Sequence, residues 1–233
     1  MLIQRAQIGT IRRPQVPTAK KLVMIESMKQ NRIAVEQPKL FDDVEQLLLP
    51  QGLLDYTPGF FSKENSDRYL AKLLAEVPWQ QHKVMMYEKE VITPRLSAYF
   101  GERPLRYEDK RTPLPWTPEL LEMKHKIETF TGITFNGVLL NYYRDGNDSV
   151  AWHSDKDTIP GLKTEIASVS LGQVRSFDFR NKVNHRQRYG INLEHGSLLL
   201  MKGDLQRFWE HRIAKSATSM AGRINLTFRK CTA

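Results

Sequence analysis

The chain has 233 residues, a length that suits one domain or one domain with an arm. Hydrophobic residues make up 40% of it, and no apolar run reaches the roughly 20 residues that a membrane helix needs. The single cysteine, Cys231, excludes an internal disulfide framework and is typical of a reducing compartment. A net charge of +9 favours a polyanionic partner, although a protein that is basic for unrelated reasons has the same composition.

Residues 1–36 form a basic N-terminal segment that differs from the rest of the chain. Seven Lys and Arg residues against two Glu residues give it a net charge of 7 − 2 = +5. Pro14 and Pro17 prevent a long helix near the start. We expect a mostly flexible arm, and three interpretations stay open: contact with phosphates, an organelle address, or a tail with no separate role. The folded domain is expected over residues 37–233.

The elements that follow begin with a strand and a helix. A strand over about residues 53–61 enters a turn at Pro58-Gly59. Ser62 is a good helix N-cap, and apolar residues then recur at helical spacing up to residue 76. Thr117-Pro118-Glu119 predicts the start of a second helix, which should end near Thr131 with Gly132 as its cap.

The stretch 84–111 between these helices mixes aromatic and basic residues, including Tyr99, Arg95 and Tyr107. Aromatic rings interleaved with Arg and Lys can stack on bases and bind phosphates. A twisted hairpin with solvated charges explains the same composition, and composition alone favours that interpretation.

From residue 135 onward the hydrophobic pattern changes to a period of two, which is typical of strands. Turn signals such as Asp145-Gly146-Asn147 and Lys202-Gly203-Asp204 separate the segments. We expect eight strands, near residues 135–143, 150–153, 166–171, 175–180, 188–192, 197–201, 208–213 and 223–230. This density of strands and turns predicts an α+β, mainly β protein with a jelly roll that can hold a site inside.

The stretch Trp152-His153-Ser154-Asp155 carries a candidate metal site. On a strand, side chains two apart point the same way, so His153 and Asp155 would lie side by side. With His211 as the third ligand, two His and one carboxylate match the facial triad of non-haem Fe(II) oxygenases. The pair alone also fits a His–Asp hydrogen bond in a turn, and the three residues together could hold zinc for hydrolysis.

The last predicted strand carries a polar row on one face. Arg223, Asn225, Thr227 and Arg229 alternate with apolar residues that would pack in the core. Such a row normally faces water. In a closed barrel it would face inward, where two Arg side chains need anionic partners, and a dicarboxylic acid would supply them.

The strand that ends Asn141-Tyr142-Tyr143 repeats this pattern, because Asn141 and Tyr143 share one face. Their amide and phenol groups can both donate hydrogen bonds to carboxylate oxygens. The candidate metal ligands and these polar residues therefore predict one pocket for a metal and a small diacid.

With these features the chain resembles the AlkB family of Fe(II)- and 2-oxoglutarate-dependent dioxygenases, which remove alkyl lesions from nucleic-acid bases. The resemblance covers roughly residues 38–230. It is carried by residues 135–157, Ile166 to Gly172, Glu194 to Leu198 and Arg223 to Arg229. It implies a double-stranded β-helix (jelly roll) with supporting N-terminal helices and a nucleotide-recognition lid.

Carried over by position, the resemblance implies specific roles for the candidate residues. His153, Asp155 and His211 would bind iron and act as the catalytic residues. Asn141, Tyr143, Arg223, Asn225 and Arg229 would hold 2-oxoglutarate, with Arg223 on its distal carboxylate. Asp157, Tyr107 in the lid over the flipped base, and Arg95 in a DNA-facing hairpin would contact the substrate.

The resemblance further implies oxidative demethylation of 1-methyladenine and 3-methylcytosine in DNA, with RNA as an alternative substrate, using Fe(II), 2-oxoglutarate and O2. Rival interpretations are the same chemistry on regulatory RNA marks or on a protein, and a nucleic-acid-binding barrel without turnover. We expect a monomer with no membrane partner. The chain lacks the apolar core of a secretory signal, so its expected location is the cytoplasm in a bacterium or the nucleus in a eukaryote.

Overall fold

Side-chain caps fix the starts of the two long helices, as the sequence predicts. The computed structural model describes residues 52–86, 88–104, 112–155 and 165–231. Helix α1 (Lys63–Glu76) begins where the Ser62 hydroxyl accepts a hydrogen bond from Asn65 N–H. Helix α2 (Pro118–Thr131) is capped in the same way by Thr117 and ends at Gly132, which has a φ of 72°. A single-turn helix, α3 (Leu205–Phe208), follows much later in the chain.

The remaining described elements are strands. They are β1 (Leu54–Thr57), β2 (Lys83–Met86), β3 (Lys89–Ile92), β4 (Leu96–Gly101), β5 (Gly137–Tyr143), β6 (Val150–His153), β7 (Ile166–Gly172), β8 (Arg175–Asn181), β9 (Arg188–Leu193), β10 (Ser197–Met201), β11 (Trp209–Ile213) and β12 (Arg223–Arg229).

Ten of these strands form two antiparallel sheets. The six-stranded major sheet has the order β1-β10-β7-β12-β5-β4, and the four-stranded minor sheet has the order β6-β11-β8-β9. Strands β2 and β3 form a separate hairpin. Strands adjacent in sequence are mostly not adjacent in a sheet, which is the crossing connectivity of a jelly roll. The predicted double-stranded β-helix is confirmed.

Strand β12 lies inside the major sheet and is buried on both faces. Ile224, Leu226 and Phe228 pack into an apolar cluster shared with α1 and α2. The polar residues that alternate with them line a pocket whose other wall comes from the minor sheet. A second apolar cluster, which includes Phe177 and Phe179 of β8, surrounds that pocket. The predicted alternation therefore separates a dry core from a polar cavity across one strand.

The structure also corrects several predicted boundaries. Asp155 lies beyond the end of β6, so one strand does not carry both members of the H-x-D pair. Phe208 belongs to α3 and not to the following strand, and the first strand is shorter than predicted. The stretch from residue 83 to residue 101 forms β2, β3 and β4, which agrees with the hairpin interpretation.

Three predicted features lie outside the described residues: the boundary of the N-terminal arm near residue 36, the part of the lid that carries Tyr107, and the segment after β6 that carries Asp157. Among the helices of the described ranges, none has the length and apolar character needed to cross a membrane.

Candidate active site

The minor sheet brings the three predicted metal ligands together. His153 ends β6 and His211 lies directly opposite it on β11, with 4.4 Å between their ring centroids. Asp155 follows two residues after His153. One ligand atom from each residue lies within 4.8 Å of the other two. Two of the three are protected from solvent, because His211 is only 4% exposed and the Asp155 side chain 10%, whereas the His153 side chain is 37% exposed.

Neighbouring groups orient these ligands. His153 Nδ1 lies 2.9 Å from the carbonyl oxygen of Ala151 and must therefore donate to it, which leaves Nε2 with its lone pair. The Asp155 N–H donates to Gln206 Oε1 at 2.9 Å. His211 packs against the ring of Phe177, with 4.9 Å between centroids. Such supporting contacts fix the tautomer and direction of metal-binding side chains.

The protonation states at this group suit a cation. Burial alone would raise the pKa of Asp155, but the charge of Arg229 beside it holds that pKa far below its ordinary value. Burial lowers the pKa of His211 to about 4. At pH 7 the group therefore offers an ionised carboxylate and a neutral imidazole.

A direct His–Asp hydrogen bond does not account for the pair. His153 Nε2 lies 3.9 Å from Asp155 Oδ1, and His211 Nε2 lies 4.0 Å from Asp155 Oδ2. Both distances exceed hydrogen-bond length. The gap between the three side chains has room for an ion that all three would contact.

Arg223 supplies an unusual buried charge to the same pocket. It is 1% exposed, and its NH2 group donates to Ser170 Oγ at 2.9 Å. Its Nε and NH1 atoms have no hydrogen-bond partner. Burial lowers its pKa to about 10, so the guanidinium still carries its charge at pH 7. A buried cation with two unsatisfied donors is costly, and an anion bound in the pocket would remove that cost.

Comparisons with known proteins agree with this geometry. The family model of the 2OG-Fe(II) oxygenase superfamily matches residues 54–229. The alpha-ketoglutarate-dependent dioxygenase alkB homolog 3 of Rattus norvegicus is 38% identical over 211 residues, covering 84% of this chain and 72% of the relative. The DNA oxidative demethylase ALKBH2 of Homo sapiens is 34% identical over 183 residues, covering 73% of this chain and 70% of the relative.

This chain belongs to the AlkB family of the 2OG-Fe(II) oxygenase superfamily.

A solved structure supports the family fold. The structure of OsALKBH1 superposes with a TM-score of 0.54 at 18% sequence identity, covering 76% of this chain and 98% of that chain. At that identity the likeness concerns the fold alone.

The other residues predicted to hold 2-oxoglutarate also line the pocket of this AlkB-family chain. Asn141, Tyr143, Asn225 and Arg229 all face it from β5 and β12. Arg229 NH2 contacts Asp155 Oδ1 at 2.8 Å, and its Nε has no partner. Asn225 donates to Ser168 Oγ at 2.8 Å, so it is tied to β7 across the strand pair.

Arg95, predicted in a DNA-facing hairpin, lies just before β4 and reaches into the pocket. Its Nε donates to Asn141 Oδ1 at 2.9 Å, and its NH1 donates to the carbonyl oxygen of Ser149 at 3.3 Å. Because the amide oxygen of Asn141 is used in this way, its Nδ2 group is the one available to donate to a ligand. Asp157 and Tyr107 lie outside the described residues.

Two contributors were missing from the sequence prediction. Ser170 accepts the hydrogen bond from Arg223, and Gln206 accepts that from the Asp155 backbone. Ser170 could have been found from the sequence, because Ser168 and Ser170 alternate with apolar residues along β7. Nothing in the local sequence marks Gln206, which lies in the one-turn helix α3.

Proposed function

We propose that this chain oxidatively demethylates 1-methyladenine and 3-methylcytosine in DNA, as a direct-reversal repair enzyme. The observation that carries the proposal is the placement of Arg223, with two unpartnered guanidinium nitrogens, in the same pocket as the His153, Asp155 and His211 group. A metal site alone fits many functions. A metal site beside a buried receptor for a carboxylate fits a 2-oxoglutarate-dependent oxygenase.

In this proposal the three clustered side chains hold Fe(II). His153 binds through Nε2, because its Nδ1 is committed to the backbone. The carboxylate of Asp155 and the imidazole of His211 supply the other two ligand atoms. Three protein ligands leave the remaining coordination positions for 2-oxoglutarate and O2.

The polar face of the major sheet holds 2-oxoglutarate. Arg223, which is buried and has two nitrogens without hydrogen-bond partners, would pair with the distal carboxylate. Asn141 and Tyr143 donate to the remaining oxygens, with Asn225 beside them. Arg229 keeps Asp155 ionised while contributing positive charge at the same place.

When bound, Fe(II), 2-oxoglutarate and O2 would supply the oxidation: one oxygen atom would hydroxylate the methyl carbon on a base nitrogen, the other would enter succinate as 2-oxoglutarate loses CO2, and the hydroxymethyl group would leave as formaldehyde to restore the base. The chain's own task is to present the base. A base must leave the stack to enter the pocket, at a cost of a few kcal/mol that is least for a damaged or unpaired base. Arg95 at the pocket, with Tyr107 and Asp157, is proposed to contact that base.

DNA is proposed as the substrate because a relative is named a DNA oxidative demethylase and because the net charge of this chain is +9. The same charge argues against a protein substrate. A barrel that binds nucleic acid without turnover would gain nothing from a buried, unpaired Arg223. We also propose that the protein is a monomer and that it works in the bacterial cytoplasm or the eukaryotic nucleus. These two points rest on the sequence.

The proposal is tested by loading the protein with Fe(II) and 2-oxoglutarate without oxygen, then adding air and an oligonucleotide containing 1-methyladenine. Succinate and formaldehyde are measured together. One formaldehyde and at least one succinate should form for each methyl group removed, and Asp155→Ala should form neither. Succinate without formaldehyde on every methylated DNA and RNA oligonucleotide would contradict the proposed substrate class.

A further inference from the structure

The strand that carries His153 is held weakly by its own sheet. β6 has four residues and lies at the end of the minor sheet, so within the described residues only β11 pairs with it. The register between these strands shifts between the pairs His211↔His153 and Ile213↔Val150. A four-residue edge strand has backbone hydrogen bonds to a neighbour on one side only, so few of them fix its position.

The pocket side does little to hold His153. Its side chain is 37% exposed, whereas that of its partner His211 is 5% exposed and packs against Phe177 and Phe179. Interaction with the aromatic core therefore fixes His211 but not His153. The hydrogen bond of His153 Nδ1 to the Ala151 carbonyl and the contact with the His211 ring orient the side chain, so the position of the end of β6 depends on the residues that flank His153.

Trp152, the residue just before His153, makes strong contacts on the opposite face of the sheet. The guanidinium carbon of Arg180 lies 4.3 Å from the centroid of the Trp152 ring, and that of Arg212 lies 4.5 Å from it. Both are cation–π distances, and Trp is the best side chain for that interaction. Arg212 belongs to β11 and Arg180 to β8, so the contacts tie β6 to two other strands.

Two carboxylates hold these guanidinium groups in place. Arg180 Nε contacts Glu210 Oε1 at 2.5 Å, and Arg212 Nε contacts Asp178 Oδ2 at 2.9 Å. Each ion pair crosses between β8 and β11. The Trp152 indole thus rests on a framework of four residues on the outer face of the minor sheet, and we call these four, Arg180, Arg212, Glu210 and Asp178, the outer clamp.

We propose that Trp152, held by the outer clamp, is a positioning residue for the metal ligands His153 and Asp155. Successive side chains on a strand point to opposite faces, so an indole fixed outward fixes the next residue inward. The following residues are held in turn, by Ser154 Oγ donating to the Trp209 carbonyl and by Asp155 N–H donating to Gln206. The outer clamp therefore fixes the backbone at the start of the ligand pair His153 and Asp155. It contacts neither the metal nor the substrate.

This inference rests on the proposed metal centre, so its test measures metal binding and not turnover. Fe(II) is titrated anaerobically into the full chain with saturating 2-oxoglutarate, and the metal-to-ligand charge-transfer absorption is followed. Trp152→Leu removes the π face but keeps an apolar side chain, and Trp152→Phe restores a ring. Trp79→Leu is the matched control, because Trp79 is a part-buried indole that packs on Tyr142 in the other core cluster.

Trp152→Leu should weaken Fe(II) binding by roughly tenfold or more, the lower end of what loss of a supporting contact costs a metal site. Trp152→Phe should recover most of that loss, and Trp79→Leu should leave the affinity as in the parent even where it lowers the melting temperature. Parent-like Fe(II) affinity in Trp152→Leu overturns the proposal. An equal loss in Trp79→Leu also overturns it, because general loosening would then explain the effect.

Two further variants keep the test decisive. If Trp152→Leu does not fold, the double variant Arg180→Gln with Arg212→Gln, which keeps the indole, should weaken Fe(II) binding in the same way, and unchanged binding there overturns the clamp. His153→Ala separates the two proposals. If it binds Fe(II) as the parent does, the proposed metal centre is wrong, whatever Trp152 does.

Discussion

At the scale of single residues, the buried charge of Arg223 is the clearest indication that the pocket binds an anion. Its guanidinium is 1% exposed, donates to Ser170 and lies 5.3 Å from the centroid of the Tyr143 ring, and its Nε and NH1 atoms have no hydrogen-bond partner. The sequence indicated this environment because polar and apolar residues alternate along the whole of β12. The sequence could not show which nitrogens lack partners, since that depends on the distance to β7.

Arg223→Ala should therefore raise the 2-oxoglutarate concentration needed for half-maximal decarboxylation by about 100-fold, since a charge-assisted bidentate contact is lost. Arg223→Lys should fall between this variant and the parent, because an ammonium group keeps the charge but not the paired geometry. Arg68→Ala, at an exposed arginine paired with Glu122, is the control. An unchanged requirement in Arg223→Ala would count against the proposed carboxylate site.

Asp148 stabilises the turn that precedes β6, and this contribution should depend on pH. The residue is 4% exposed and accepts hydrogen bonds from Arg144 Nε and NH2 and from the Arg144 backbone N–H. Burial alone would raise the pKa of Asp148, but these hydrogen bonds outweigh it and the pKa lies below the ordinary 3.8. A lowered pKa means that the stabilisation is complete above about pH 5 and is lost as pH falls through the folded-state value.

Asp148→Asn should lower the free energy of unfolding by about 1.5–3 kcal/mol at pH 7, the range for hydrogen bonds to charged groups. The difference from the parent should shrink as pH falls below 4. Denaturant unfolding at several pH values measures both, with the exposed Asp145→Asn as the control. A difference that stays constant down to pH 3 would show that the ionised carboxylate is not responsible.

At the scale of elements, local signals were sufficient where a segment's partners lie close in sequence or where alternation is strict. The helices α1 and α2 were predicted from their caps and periodicity, and β12 from the alternation of polar and apolar residues along it. For the stretch that holds β2 to β4 the sequence left two interpretations open, a base-stacking surface and a solvated hairpin, and β2 and β3 do form a hairpin. Arg175 was missed: it is buried only because loop carbonyls of Asp145, Asp148 and Ala214, distant in sequence, accept from it.

The close pairing of β7 with the start of β12 depends on Gly172, at the end of β7. Gly172 has a φ of +89°, and a Cβ there would lie 2.4 Å from the carbonyl oxygen of Gly222. Gly132 has a similar φ of +72° but nothing within 4 Å of the same position. Gly172→Ala therefore meets backbone strain and a steric clash, whereas Gly132→Ala meets strain alone.

Gly132→Ala should reduce the free energy of unfolding by about 1 kcal/mol, and Gly172→Ala by roughly 2 kcal/mol more. Because Gly172 pairs with Arg223, the second variant should also weaken 2-oxoglutarate binding. Chemical denaturation and 2-oxoglutarate titration are the measurements. Equal destabilisation by the two substitutions would mean that the backbone at Gly172 moves away without cost.

At the scale of the whole molecule, the polar pocket lies where the two sheets meet, and each sheet supplies one part of the chemistry. His153 and His211 lie on strands of the minor sheet, and Asp155 follows shortly after β6. The major sheet carries the candidate diacid receptor. Facing sheets of a jelly roll therefore explain why residues from 141 to 229 converge. The H-x-D spacing, the alternation along two strands and the family resemblance together predicted the members of this group, but only the pairing of β11 with β6 shows that His211 lies opposite His153.

The basic N-terminal arm should contribute to DNA binding through charge. Residues 1–36 carry a net +5 of the chain's +9. Their deletion should weaken binding to an oligonucleotide at low salt and make the dependence of log Kd on log salt concentration less steep. An arm of the same length with its Lys and Arg residues replaced by Gln is the matched control, and it should behave like the deletion. If neither affinity nor salt slope changes, the arm has no role in DNA binding.

One anaerobic titration tests the central claim most directly: that one pocket holds Fe(II) and 2-oxoglutarate in contact with each other. The charge-transfer absorption of the chelated metal should appear only when both are added, and it should saturate at one Fe(II) and one 2-oxoglutarate per chain. Asp155→Ala should abolish it, and Arg223→Ala should shift its saturation to much higher 2-oxoglutarate concentrations. Fe(II) that binds this chain without any spectral response to 2-oxoglutarate would contradict the claim.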